Sequence, residues 1–176
     1  MHPAVTIRPA AFRDVEAIQR VARAAYHAAY DDYVDAAALD AQLDEWYSED
    51  SVENRVLRDA ATLLVADHDT EGVVGYASGG PTPPNVDDDG DEPADAMLYT
   101  CYVHPNHWGE RVGHRLFTAI EDDLRDRGFE RMTVPVLADN DRARQFYADH
   151  GYPVVDTDTT EFGGKTVDEA THASDL

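Results

Sequence analysis

One stretch, Val103 to Tyr152, constrains this chain more than any other. It runs from a strand end through Pro105 into a glycine-bearing turn, Trp108-Gly109-Glu110-Arg111-Val112-Gly113. Apolar residues then recur at Val112, Leu116, Ala119, Ile120 and Leu124, the spacing of one helical face, and Gly128 stops the helix. Met132–Leu137 reads as a strand. Asn140 then caps a short helix with Ala143, Phe146, Tyr147 and His150 on one side, and Gly151 ends it. A helix that opens on such a turn leaves its first N–H groups without internal partners. Those donors, with the positive end of the helix dipole, suit phosphate oxygens. Gly109 and Gly113 carry no β-carbon and let such a group approach, and Arg111, His114 and Arg115 add basic or hydrogen-bonding groups. No Gly-Lys-Ser/Thr follows, so this is not a P-loop, and the glycines lack the G-x-G-x-x-G spacing of a dinucleotide site. Taken alone, the segment is equally compatible with an ordinary turn and helix start.

Upstream, Val5–Arg8 alternates and reads as a short strand. Asp14 opens a helix with Val15, Ile18, Val21, Ala22, Ala25 and Tyr26 inward, and Asp35 caps a second with Leu39, Leu43, Trp46 and Tyr47 on one face. Thr62–Ala66 and Val73–Ser78 form a hairpin around an Asp67–Gly72 turn. Residues 79–95, rich in Pro, Gly and Asp, read as a flexible acidic loop without the spacing of a calcium loop. Ala96–Val103 is the next strand and Tyr152–Val155 starts another. A last short strand is expected around Lys165–Val167, with a loose tail over 169–176. Alternation of strands and helices over 176 residues points to one α/β or α+β domain spanning 1–176.

Composition narrows the function classes. The net charge of −22 argues against sequence-independent nucleic-acid binding, which needs clustered Lys and Arg. The chain has 25 Asp, 11 Glu, 13 Arg and a single lysine, Lys165, spread over its length. That is the composition of a salt-adapted (halophilic) protein, in which salt screens self-repulsion; attraction of a cationic substrate is the rival reading. One cysteine, Cys101, excludes an internal disulfide and suits a reducing, cytoplasmic setting. No signal peptide and no membrane-spanning run is visible. His104, His107 and His114 lack Cys or carboxylate companions at a recognisable spacing, so no metal site is expected.

Asn140 and Tyr147, seven residues apart, share a helix face, and a tyrosine is a plausible acid for a leaving group of thiol-like pKa. Three motifs together then carry a resemblance: Cys101-Tyr102-Val103-His104-Pro105, Trp108 through Leu116, and Asn140-x-x-Ala143-x-x-Phe146-Tyr147-x-x-x-Gly151-Tyr152. Their order and spacing resemble the GNAT family of N-acetyltransferases, with Trp108 where that family usually has Gln or Arg and Arg111 where it has glycine. The resemblance implies a mixed, mostly antiparallel sheet flanked by helices, with splayed central strands. It also implies acetyl-CoA as co-substrate, a small-molecule or peptide amine as acceptor, and is compatible with a homodimer. By the resemblance, backbone at Cys101, Tyr102 and Val103 holds pantetheine. Gly109, Glu110, Arg111, Val112, Gly113 and His114 hold the pyrophosphate, Asn140 contacts the cofactor, and Tyr147 protonates the departing thiolate. Tyr26, Tyr30, Asp31, Asp32 and Tyr33 fall where the family shapes its acceptor pocket; a helix face and solvated turn is the bland alternative. The general base is not assigned. The rival to catalysis is an acyl-CoA-binding sensor.

Overall fold

The computed structural model describes residues 5–82 and 95–176. Seven strands form one sheet in the order β1-β2-β3-β4-β5-β7-β6. They are β1 (Val5–Pro9), β2 (Thr62–His68), β3 (Gly72–Pro81), β4 (Ala96–Val103), β5 (Arg131–Leu137), β6 (Val154–Phe162) and β7 (Lys165–Asp175). All neighbours pair antiparallel except β4 and β5, which are parallel. The helices are α1 (Val15–Tyr30), α2 (Ala36–Trp46), α3 (Glu49–Leu57), α4 (Val112–Asp126) and α5 (Asp141–Asp149).

Each sheet face carries its own core. Leu116, Phe117, Ile120 and Leu124 of α4 and Tyr147 of α5 pack on Val74, Ala77, Met132, Val134 and Val136. On the other face Ile18, Val21, Tyr26 and Tyr30 of α1 join Leu39 and Leu43 of α2, Val52 of α3, and Val73 and Tyr76 of β3. Successive strand residues point to opposite faces, so Val73 and Val74 serve different cores, and a bulge at Val74 in the pairing with β2 shifts the alternation by one before Tyr76 and Ala77. Burying each such aliphatic or aromatic side chain stabilises the fold by about 1.5–3 kcal/mol.

Capping follows the sequence. The Asp35 side chain accepts from Ala38 N–H, and that of Asn140 from Ala143 N–H, both at 3.1 Å. Asp14 precedes α1 without capping it by a side-chain bond; its carboxylate instead takes the Arg8 guanidinium on both oxygens (2.8 and 2.9 Å) and the Ala11 N–H (2.8 Å).

Two expectations are corrected. The loop expected from residue 79 begins later, because Gly79–Pro81 continue β3 and pair with Leu98, Met97 and Ala96. Gly79 is there for close packing. A β-carbon on it would lie 3.1 Å from Ile120 and 3.3 Å from Leu124, so α4 sits on bare backbone. The Asp-rich part of that loop, 83–94, lies outside the described residues. The tail expected to be loose from 169 is instead the second half of β7, paired with β5 from Arg131↔Asp175 to Leu137↔Glu169 and with β6 on its other side. Helix α3 had no counterpart in the sequence reading, since Val52 is its one buried residue.

Candidate active site

β4 and β5 pair only at Ala96↔Met132 and Met97↔Thr133. Beyond Met97 they part, which leaves one edge of β4 without a strand partner. The His104 N–H donates to the Val74 carbonyl on β3 (2.8 Å). Alternation along the strand therefore turns the backbone groups of Val103 and Cys101 the other way, into the gap. Buried backbone groups require partners, so such an edge is a docking place for an extended chain. One partner is already present: the Trp108 indole N–H donates to the Val103 carbonyl at 2.8 Å.

A cavity of about 540 Å³ opens at this gap. Cys101, Tyr102, Val103, Gly109, Arg111, Val112, Gly113, His114, Asn140 and Tyr147 all line it. Of the residues expected to bind the cofactor, Glu110 alone does not; its carboxylate turns away to the His107 Nδ1 at 2.8 Å.

The phosphate-like turn is built as a helix start. Arg111 is the N-cap of α4 and adopts φ 65°, ψ 17°, the one non-glycine residue with positive φ among the described residues. Gly109 has φ 84°. Both positions lie where an L side chain is strained, so the turn is shaped for glycine at 111 and carries arginine instead. Gly113 is different. A β-carbon there would meet Phe146 and Val103 at 3.7 Å, an ordinary contact, and its φ is not positive. The protein itself therefore does not demand glycine at 113.

On the far wall, Asn140 caps α5 and also donates from Nδ2 to the Tyr30 hydroxyl at 3.1 Å. Tyr147 is 7% exposed, packed against Phe117 and Phe146, and its hydroxyl has no hydrogen-bond partner among the described residues. Burial raises its pKa well above the ordinary tyrosine value, and Cys101 and Tyr30 nearby act in the same direction. The Cys101 thiol is pushed up to about 12 by burial. It is therefore a neutral packing group, as a covalent mechanism through it would not be.

His114 and His150 face each other at 2.8 Å from Nδ1 to Nε2. His150 donates from Nδ1 to the Phe146 carbonyl (2.7 Å), so its Nε2 accepts and His114 donates. Burial first, and then the neighbouring Arg111 and His150, lower the pKa of His114 and keep it neutral.

The expected acceptor cluster divides. Tyr26 and Tyr30 are core, packed with Tyr47, Tyr76 and Tyr102 through ring contacts and the Tyr76–Tyr47 hydroxyl bond of 2.7 Å. Asp31 pairs with His27 at 2.6 Å. Tyr33 alone of the group lines the cavity, beside Ala25, Ala28 and Ala29 of α1.

His107 does have carboxylate companions, contrary to the sequence reading. Its Nδ1 faces Glu110 at 2.8 Å and its Nε2 faces Glu71 at 2.9 Å. With His68 these donor atoms fall within 4.8 Å of one another, close enough for a metal. The proton positions argue otherwise. His68 Nδ1 accepts the N–H groups of Thr70 and Glu71 at 3.2 Å, which leaves its proton on Nε2, the atom turned towards Glu71. The cluster is satisfied as a clasp that ties the β2–β3 turn to the 107–110 segment.

Sequence reasoning also missed Arg142. It lines the cavity from the first turn of α5, with its guanidinium 4.1 Å from the centre of the Trp108 ring. A cation where the helix dipole disfavours one was the available signal.

The fold is shared with solved acetyltransferases. An N-acetyltransferase, PaiA from Thermoplasma acidophilum, solved in complex with coenzyme A, superposes with a TM-score of 0.83 at 19% identity over 98% of this chain and 99% of that one. A GCN5-related N-acetyltransferase from Rhodopseudomonas palustris gives 0.75 at 23% identity, covering 100% and 97%. YncA from Salmonella typhimurium, solved with its cofactor acetyl-CoA, gives 0.69 at 25% identity, covering 98% and 94%. No curated protein matches the sequence. The family model for the acetyltransferase (GNAT) family matches residues 18–152, the span that holds the splayed strands, the glycine-bearing turn and Tyr147, and the chain belongs to the GNAT acetyltransferase family.

Proposed function

We propose that this chain, acting as one domain, transfers the acetyl group of acetyl-CoA to a primary amine by direct attack. The observation that carries the reading is the splay of β4 from β5 with Tyr147 on the wall of the resulting cavity. The residues present fit the co-substrate. The free N–H groups of Cys101 and Val103 suit an extended pantetheine, and the α4 N-terminus behind Gly109 and Arg111 suits the pyrophosphate.

The amine nitrogen attacks the thioester carbonyl; a C–N bond forms, the C–S bond breaks, and the amine gives up a proton to solvent. A β4 backbone N–H polarises the carbonyl as negative charge gathers on its oxygen. Tyr147 gives its hydroxyl proton to the sulfur and recovers one from solvent. At first sight a phenol of raised pKa is a poor acid for a thiolate. What supports the reading is that burial also pushes the Cys101 thiol in the same cavity up to about 12. A thiolate released beside it would be desolvated in the same direction, which raises the proton's acceptor along with its donor.

Tyr147→Phe is expected to lower thiol release, measured with pooled amines, by roughly a hundredfold while acetyl-CoA affinity stays within about twofold. Turnover equal to wild type would remove Tyr147 from the mechanism. Arg111 and Trp108, which depart from the family pattern, favour a second reading: a domain that senses acyl-CoA without turnover. Acetyl-CoA binding with no thiol release for any amine supports that reading instead.

A further inference from the structure

Trp108 and Arg142 both line the cavity and stack on one another. Trp108 comes from the segment before α4, and its indole N–H is fixed on the Val103 carbonyl at 2.8 Å. Arg142 comes from the second position of α5, and its guanidinium lies 4.1 Å above the indole ring. A cation stacked on an aromatic face keeps its in-plane N–H donors free.

Eight arginines elsewhere in this acid-rich chain are used internally, while Arg13, Arg58 and Arg131 have no such partner among the described residues but lie away from the cavity. Arg8, Arg23, Arg125 and Arg127 sit on aspartates, and Arg20, Arg55, Arg115 and Arg144 donate to backbone carbonyls. Arg142 and Arg111 line the cavity and make no hydrogen bond or ion pair among the described residues. Arg142 also stands at a helix N-terminus, where its charge opposes the dipole. An anion in the cavity answers both conditions, because it pairs with the guanidinium and is favoured by the helix N-termini of α4 and α5 together.

We infer that Arg142 binds a phosphate of the acyl carrier and that Trp108 is the positioning residue that holds it there. Arg142 then selects phosphorylated carriers over a bare pantetheine thioester. The inference rests on the acetyl-CoA reading.

The test compares acetyl-CoA, acetyl-dephospho-CoA and S-acetyl-pantetheine as ligands of the intact protein, by calorimetry or competition at one fixed salt concentration. Arg142→Ala is expected to weaken acetyl-CoA by roughly tenfold and leave S-acetyl-pantetheine unchanged. Trp108→Ala is expected to lose part of the same preference, and Trp108→Phe, which keeps a ring but not the N–H, less of it. A penalty that persists with acetyl-dephospho-CoA assigns Arg142 to the pyrophosphate. One that disappears assigns it to the 3′-phosphate; both support the inference. Equal weakening of acetyl-CoA and S-acetyl-pantetheine, or no weakening of either, overturns it. Wild-type protein that binds S-acetyl-pantetheine as tightly as acetyl-CoA overturns it while sparing the thioester reading; wild-type protein that binds neither overturns both. Arg142 is exposed, and thermal unfolding of each variant separates lost folding from lost binding.

Discussion

Replacing Arg111 by glycine should make the protein more stable although it deletes a side chain. The residue sits at φ 65°, ψ 17° in the left-handed region. An L residue there is strained by about 1–2 kcal/mol. Glycine has no such strain, but its freer unfolded chain takes back about 0.5–1 kcal/mol. The net expected gain for Arg111→Gly is about 0.5–1 kcal/mol. For a chain of 176 residues that corresponds to a rise in Tm of about 1–4 °C. Arg111 is exposed and forms no ion pair among the described residues, so little native interaction is lost. Removing a positive charge from a chain of net charge −22 does increase self-repulsion. Arg111→Ala controls for that. It loses the same charge, keeps a β-carbon in the same strained conformation, and should gain nothing. Thermal unfolding without ligand, at one high salt concentration, gives the comparison. If the glycine variant melts no higher than the alanine variant, Arg111 carries no backbone strain and its place in a glycine position costs the fold nothing.

Gly113→Ala should split stability from binding: a β-carbon fits at 3.7 Å from its neighbours and favours the first turn of α4 by about 0.5–1 kcal/mol, yet it intrudes on the proposed pyrophosphate site. A higher Tm with weaker acetyl-CoA binding is expected, and unchanged binding would remove Gly113 from the site. Asp14→Asn should cost about 2–3 kcal/mol in urea unfolding at pH 7, since Asp14 is buried and holds both Arg8 and the Ala11 N–H. The Arg8 hydrogen bonds lower the folded pKa of Asp14, so its contribution is present above the unfolded value of about 3.9 and fades as pH falls through the folded one. The wild-type advantage should therefore shrink on strong acidification, and an advantage constant with pH would rule out the ion pair as its source. For the reaction itself, a general acid acts while protonated, and burial holds Tyr147 protonated beyond pH 10. The rate should show no fall near pH 10 that Tyr147→Phe abolishes; such a fall would mean a normally titrating phenol.

The parts of the site that were readable in the sequence are those fixed by local geometry. The glycine at 109, the cap at Asn140, the spacing from Asn140 to Tyr147 and the apolar stripe of α4 each follow from a few neighbouring residues. They brought ten of the eleven expected site residues to one cavity. Glu110 lies outside that cavity because its carboxylate is held by His107, across a turn whose side-chain directions are not legible in the sequence. Arg142 escaped notice for a similar reason. Its meaning depends on Trp108, thirty-four residues away in sequence and 4.1 Å away in space.

The missed strand shows the same division at the scale of the fold. β7 lacks an apolar alternation. Its buried residues are Ala170, His172 and Ala173, two of them small and one polar, among Asp168, Glu169 and Asp175. It is held by its ladders to β5 and β6, and His172 is accommodated by donating from Nδ1 to the Tyr152 carbonyl at 2.6 Å. Backbone pairing satisfies every residue type alike, so a strand held between two others needs little hydrophobic signature of its own. An acid-loaded surface strengthens the effect, because charged residues at exposed strand positions imitate a solvated tail. The central gap obeys the converse rule. Cys101 and Val103 have strand-like sequence and a strand partner on one side only, and it is the missing partner on the other side that opens the cavity.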